Sequence, residues 1–241
     1  MEDTVKKISH FLSFAVVFVC SAYLYFGFKG FAFENGTLVL QKQEAMAEER
    51  NGIATILPDD LTINASEKYA IGDIDAPLTL FEYSSLTCPH CADFHLGIEP
   101  KLMTDYVDKG LLRIVFVNFP LDKNSMAAAM LAECMSYENY FGFLDKLFDT
   151  QRSWWLDRKP DTLFKYAAEY GISYDEAVAC TKNNAVASDI VANRQEAISK
   201  LHMQGTPAFL FVGEDGNEII YGVPSYSELK QYLDSRLQNL K

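Results

Sequence analysis

The hydrophobic and polar positions divide this chain into one long apolar run, a polar stretch, and a body in which strand-like and helix-like periods follow one another. From Ile8 to Phe28 the only residue able to carry a charge is His10. About 21 residues at roughly 1.5 Å each would cross a bilayer core of roughly 30 Å, so the run predicts a spanning helix over the first 29 residues. Lys6 and Lys7 precede it, as on a cytoplasmic flank, while Lys29 weakens that bias without reversing it. The alternative is a cleaved signal peptide. Cys20-Ser21-Ala22 is a poor small-residue cleavage site, and Ala45-Met46-Ala47 lies too far downstream, so the pattern favours an uncleaved anchor. Either way the remainder is exported to a compartment where disulfides persist. Residues 30–66 then read as a linker or stalk, with Thr37 to Arg50 as a short amphipathic helix; an oligomerisation helix is the other reading of that segment.

Beyond the stalk the periods are clearer. Leu78 to Tyr83 alternates and is rich in strand formers, and Leu111 to Phe119 is a second strand ended by Pro120. Apolar residues at three- and four-residue steps predict helices over Met126–Tyr137, Tyr140–Thr150, Asp161–Tyr170, Ser173–Lys182 and Asn184–Leu201. Strands return at Ala208–Gly213 and Glu218–Gly222, joined by Glu-Asp-Gly-Asn turn chemistry, and a last helix runs from Ser225 to Leu237, with Ser225 or Ser227 as its cap. Trp154-Trp155 and the aromatic stretch 137–148 read as packing.

Composition changes the picture in two places. A chain of 241 residues, 49% hydrophobic, can bury a sizeable core. A net charge of -12 argues against nucleic acid as a partner.

The candidate chemistry lies in Cys88-Pro89-His90-Cys91, which follows the first strand of the body and opens a helix through Ala92, Phe94, His95 and Ile98. A helix N-terminus offers unpaired N–H groups and the positive end of its dipole to the first sulfur. Both favour thiolate, the reactive form. A C-x-x-C between strand and helix is the thioredoxin-like redox arrangement. Zinc is the competing reading, with Cys88, His90, Cys91 and His95 as four ligands, but no second ligand pair follows along the chain. The order βα-β, helical block, ββ-α therefore predicts an α/β thioredoxin fold over 67–122 and 203–241, with an all-helical domain inserted at 123–202. No metal or other cofactor is expected.

Glu82 lies six residues before Cys88 in an otherwise apolar strand, and alternation alone leaves it facing either solvent or the core. Buried without a cation, it would have a raised pKa suited to proton transfer. Cys134 and Cys180 fall in the helical block; export and an even count outside the apolar run favour a structural disulfide over two free buried thiols. Cys20 lies in the anchor and reads as a small apolar-facing residue.

The residues from Gly72 to Gly222 resemble the DsbA family of thiol–disulfide oxidoreductases, in its branch with an inserted helical domain. Its markers are Gly72 to Pro77, Phe81-Glu82-Tyr83, Cys88-Pro89-His90-Cys91 with Phe94-His95, Val117 to Leu121, Ala132-Glu133-Cys134 and Gly205-Thr206-Pro207. The resemblance implies that Cys88 is the exposed nucleophile and Cys91 the buried resolving thiol. It implies that His90 points a donor or charge at the Cys88 sulfur, and that Glu82 accepts the proton of the buried cysteine. It also implies a cis Pro207 beside the disulfide, with the backbone of Thr206 pairing with an extended client. Threonine before this proline is commoner in isomerase-like relatives, which bears on redox poise. The expected activity is donation of a disulfide to reduced client proteins, with reoxidation by a membrane partner, in the periplasm or another extracytoplasmic space. The alternatives are a reductase or isomerase of the same fold and a copper- or zinc-handling module using the same sulfurs.

Overall fold

The computed structural model describes residues 31–34, 37–40, 49–50, 53–58, 60–63, 69–156 and 160–240. The apolar run at 8–28, with the anchor or signal role expected of it, lies outside those residues. Among the described residues no helix is long and apolar enough to cross a membrane.

The helix expected over 37–50 is corrected at both ends. Strands β1 (Phe31–Glu34) and β2 (Thr37–Leu40) pair antiparallel with Glu34 opposite Thr37, and β3 (Glu49–Arg50) is a further short strand. The reason is legible in the chain: Asn35-Gly36 is a strong two-residue hairpin signal, and Thr37-Leu-Val-Leu40 holds strand formers. This hairpin belongs to a unit of its own, residues 1–48, and the remainder forms a second, 49–241.

The second unit is built on a seven-stranded sheet. Its strands are β3, β4 (Ala54–Leu57), β5 (Ala70–Ile71), β6 (Leu78–Ser84), β7 (Leu112–Asn118), β8 (Ala208–Gly213) and β9 (Gly216–Tyr221), in the order β3-β4-β9-β8-β6-β7-β5. Part of the expected stalk is therefore sheet: β4 pairs with β9, Thr55 opposite Ile219, and buries Ala54 and Leu57. Ala54-Thr-Ile-Leu57 is too short a run for its period to be told from that of a loop.

Central β6 runs parallel to β7 and antiparallel to β8. Successive side chains of a strand point to opposite faces. Leu78 and Leu80 pack with Phe94, Phe209 and Phe211 on one face, and Phe81 and Tyr83 pack with Val115, Ala197 and Leu201 on the other. The first face is covered by α1 (Pro89–Gly97), α2 (Glu99–Leu102) with the π-helical turn Met103–Val107, and the last helix, Tyr226–Asn239, capped by Ser225 with Glu228.

Among the described residues between β7 and β8 lie six helices: α3 (Lys123–Glu133), α4 (Tyr137–Asp149), α5 (Gln151–Trp154), α6 (Asp161–Glu169), α7 (Tyr174–Cys180) and α8 (Asn184–Lys200). Asp122 caps α3 through the Asn124 and Ser125 amides, and Ser173 with Glu176 caps α7. The buried stripe of α4, Tyr140, Phe143, Leu144, Leu147 and Phe148, recurs at the 3.6-residue period. Each such side chain contributes about 1.5–3 kcal/mol by burial. Trp154 is buried beside it, its Nε1 donating to the Leu147 carbonyl at 2.9 Å. The helical block does not end cleanly. Helix α8 packs Ile190 against Ala129 and Met130 of α3, then Ala197 against the sheet, so one helix serves both layers. The final helix is α9.

Candidate active site

The site forms where the C-terminal end of β6 gives way to α1. Pro89 occupies the first turn of α1, where a missing N–H costs nothing, and Cys88 is the N-cap in extended conformation. Cys88 and Cys91 are both free thiols in the structure, Cys88 with 7% of its surface exposed and Cys91 with none. Their unlike burial separates their acidities. The Cys88 thiol falls to about 5, first because Cys91 donates to its sulfur, then through the Thr206 hydroxyl and the backbone N–H groups of Cys91 and His90, against the opposing effect of burial. Burial, followed by the neighbouring Cys88, pushes the Cys91 thiol far above the ordinary range. One sulfur is held ready as a thiolate while the other keeps its proton.

Thr206-Pro207 is a cis peptide, and the Cys88 thiol donates to the Thr206 carbonyl at 3.4 Å. The Thr206 hydroxyl is buried and has no hydrogen-bond partner of good geometry among the described residues, which leaves it available to a sulfur anion.

His90 is placed differently from expectation. Its side chain is 76% exposed, with Nδ1 3.7 Å from Asp93 Oδ2, and residue 90 acts on Cys88 through its backbone N–H. The imidazole is directed to solvent at the exposed start of α1. The four-ligand zinc reading fails for the same reason and for a second one: His95 is buried and faces carboxylates.

Glu82 points to the α1 side of β6, on the face shared by Leu80 and Ser84. It is wholly buried, and neither carboxyl oxygen makes a hydrogen bond of good geometry. Burial and then the charge of Glu99 raise its pKa well above the usual carboxylate range, against the pull of His95 and Ser84. The Ser84 hydroxyl, two residues on and also buried, acts on both the Glu82 carboxyl and the Cys91 thiol.

Sequence reasoning gave His95 no part in the exchange chemistry, beyond a zinc alternative and a family marker, and missed Asp145 and Gln151. His95 Nδ1 lies 2.8 Å from Glu99 Oε2 and its Nε2 lies 2.7 Å from Asp145 Oδ1. Burial opposes its charge, yet Glu99, Asp145 and Glu82 outweigh burial and raise His95 to about 10. The i, i+4 spacing of His95 and Glu99 was the available signal; Asp145 comes from α4 and gave none. The third group is Gln151 of α5, whose amide donates to the carbonyls of Leu86 at 2.9 Å and Cys88 at 3.0 Å. With the Thr87 hydroxyl donating to Asp122 at 2.8 Å, the helical insert clamps the loop that presents Cys88.

Cys134 and Cys180 form a disulfide, with Cα atoms 6.3 Å apart, that joins the end of α3 to the end of α7.

With this geometry in place, the comparisons with known proteins are direct. A family model described as Thioredoxin matches residues 64–235. The alpha-DsbA1 structure of Wolbachia pipientis superposes with a TM-score of 0.67 at 27% identity, over 75% of this chain and 96% of that one. The oxidised BdbD structure of Bacillus subtilis gives 0.63 at 25%, over 75% and 100%. Among curated relatives, disulfide bond formation protein D of Bacillus subtilis is 29% identical over 182 residues, 70% of this chain and 76% of that one. A provisionally named protein-disulfide oxidoreductase of Rickettsia conorii is 30% identical over 150 residues, 61% of this chain and 54% of its own, so the chain spans about half the length of such relatives. The chain belongs to the thioredoxin family, in its DsbA-like branch.

Proposed function

We propose that this protein donates disulfides to reduced client proteins in an extracytoplasmic compartment. In its oxidised form a client thiolate attacks the Cys88 sulfur. The Cys88–Cys91 bond breaks, a client–Cys88 bond forms, and Cys91 leaves as a thiolate that takes a proton from Glu82 by way of Ser84. The client's second thiolate then attacks its own bridged sulfur and Cys88 departs as a thiolate. The client loses two electrons and the enzyme gains them. The observation that carries this reading is the unequal acidity of the two sulfurs, with Cys88 at about 5. A stabilised leaving thiolate stabilises the reduced enzyme and makes its disulfide oxidising. Thr206 adds to that bias through its hydroxyl, placed beside the sulfurs.

Reduced substrate proteins are the clients, and reoxidation falls to a membrane-bound oxidant acting on Cys88. The apolar run at 8–28 supports export and attachment at the membrane surface. Two measurements test the reading together. Thiolate absorbance should titrate near pH 5, and equilibrium with glutathione should give a potential well above that of thioredoxin, about −270 mV. Cys88→Ala should abolish oxidative refolding of a reduced client. A potential near the thioredoxin value would make the protein a reductase or isomerase. Unchanged client oxidation by Cys88→Ala would remove the site itself.

A further inference from the structure

Three buried ionisable side chains meet beneath the active site. Glu82 of β6, His95 of α1 and Glu99 of α2 bring their ligand atoms within 4.8 Å of one another, all shielded from solvent. Two carboxyl groups so placed repel each other in a medium that screens poorly, and a buried charge persists only when it is compensated. Among the described residues the cation acting on Glu82 is His95. His95 faces Glu99 through Nδ1 at 2.8 Å, Asp145 of α4 through Nε2 at 2.7 Å, Glu82 across the cluster, and the Phe148 ring at 4.6 Å. The groups acting on Glu82 are Glu99, His95 and Ser84, and Tyr140 of α4 also senses its charge. His95 lies four residues after Cys91, one helical turn further along the same face of α1.

We infer that His95 is a positioning residue for disulfide exchange: its imidazolium, gripped between Glu99 and Asp145, supplies the buried positive charge that lets Glu82 give its proton to Cys91 and take it back. The inference rests on the relay reading of Glu82 above and extends it to residues of three other elements. When Cys91 leaves, Glu82 passes from acid to carboxylate beside the carboxylate of Glu99. Without a cation that step would place two uncompensated charges in the interior. When Cys91 must attack, Glu82 has to be a carboxylate beforehand, which again requires the imidazolium. Because Asp145 belongs to the helical insert, the insert takes part in setting the proton acceptor of the thioredoxin core. Within the cluster the imidazolium is the positive group, and the Glu82 and Glu99 carboxyls are the two groups it compensates.

The test uses the full chain and one intramolecular step. Reduced protein is mixed with oxidised glutathione, and quench-flow follows release of the second glutathione as Cys91 attacks the Cys88–glutathione bond. In that step the Cys91 proton goes to Glu82, the Cys91–Cys88 bond forms, and glutathione leaves as a thiolate. The rate should rise with pH through the Glu82 transition. His95→Gln should move that transition to higher pH and slow release about 10-fold or more near neutrality, following the one-to-three-unit influence of a neighbouring opposite charge. Glu99→Gln removes a like charge and should move it to lower pH. Asp145→Asn should shift it in the direction of His95→Gln but less far, and this exposed substitution carries the test if the buried variant does not fold. The Cys88 thiolate absorbance transition should stay in place in all three. Shifts of the same sign for His95→Gln and Glu99→Gln, or no shift in either, overturn the inference. A stoichiometric divalent ion found by elemental mass spectrometry of the purified protein would overturn it as well. If Glu82→Gln leaves the profile unchanged, the relay fails, whereas absence of any glutathione release from the unaltered protein removes the disulfide-exchange reading.

Discussion

At the residue scale, the site depends on giving chemically identical groups different surroundings. Cys88 and Cys91 differ by a single helical turn, yet the Cys91 thiol, the Thr206 hydroxyl and two backbone N–H groups act on one, while complete burial governs the other. The identities of these residues were legible in the sequence; their burial was not. His90 shows the limit, since its place inside the motif suggested a sulfur contact and its exposed side chain gives none. His95, quoted only as a family marker and a stray zinc ligand, has the more constrained environment. Its pKa is raised from 6.5 to about 10, so its contribution to folding stability is fully present below pH 6.5 and is lost as pH rises through about 10. Glu82, raised as well, loses stability in the same direction once it ionises. The thermal midpoint should therefore fall across that window, and His95→Gln should flatten the fall. A midpoint independent of pH from 6.5 to 10 would contradict the assignment of charge to His95.

At the element scale, periodicity served well wherever one face of an element is buried. The expected strand Ala208–Gly213 coincides with β8, and the expected helices match α4 and α6 to α8 within a few residues. Motifs without such a face fared worse. The segment expected as a helix from Thr37 holds a strand, because the Asn-Gly signal outweighs a weak helical rhythm. Helix α3 starts three residues earlier than its apolar rhythm suggests, since Asp122 and Ser125 close a capping box there. The insert is stapled by Cys134–Cys180 across 46 residues. Replacing both with alanine should cost about 3 kcal/mol, from the usual 2–4 for loops of this kind. Urea denaturation reads that loss, while thiolate absorbance of Cys88 should be retained. Loss of the Cys88 transition would mean that the staple also shapes the active-site loop.

At the scale of the whole 49–241 unit, the site exists because three bodies converge on the end of β6: the sheet, the motif helix and the insert. The far end of the sheet is secured separately. Arg236 of α9 is buried and donates to Asp215 through Nε at 2.6 Å, to the Tyr232 hydroxyl at 2.8 Å and to the Gly216 carbonyl at 2.9 Å, so the last helix is latched to the β8–β9 turn. Arg236→Ala should destabilise the fold by about 3–5 kcal/mol, because it leaves the buried Glu218, whose Oε2 lies 3.7 Å from Arg236 Nη1, and the half-buried Asp215 without that cation. A loss under about 1 kcal/mol, the worth of an exposed pair, would show that the latch is not buried in solution. The sequence by itself determined the redox motif, the order of the main strands and helices from β6 to α9 and the residue types available to the chemistry, because local period, caps and turn residues are properties of neighbours along the chain. Only the tertiary structure decided that Glu82 is buried, that Asp145 and Gln151 reach the site from the insert, and that His90 does not, because burial and charge compensation are set by what packs from elsewhere in the chain.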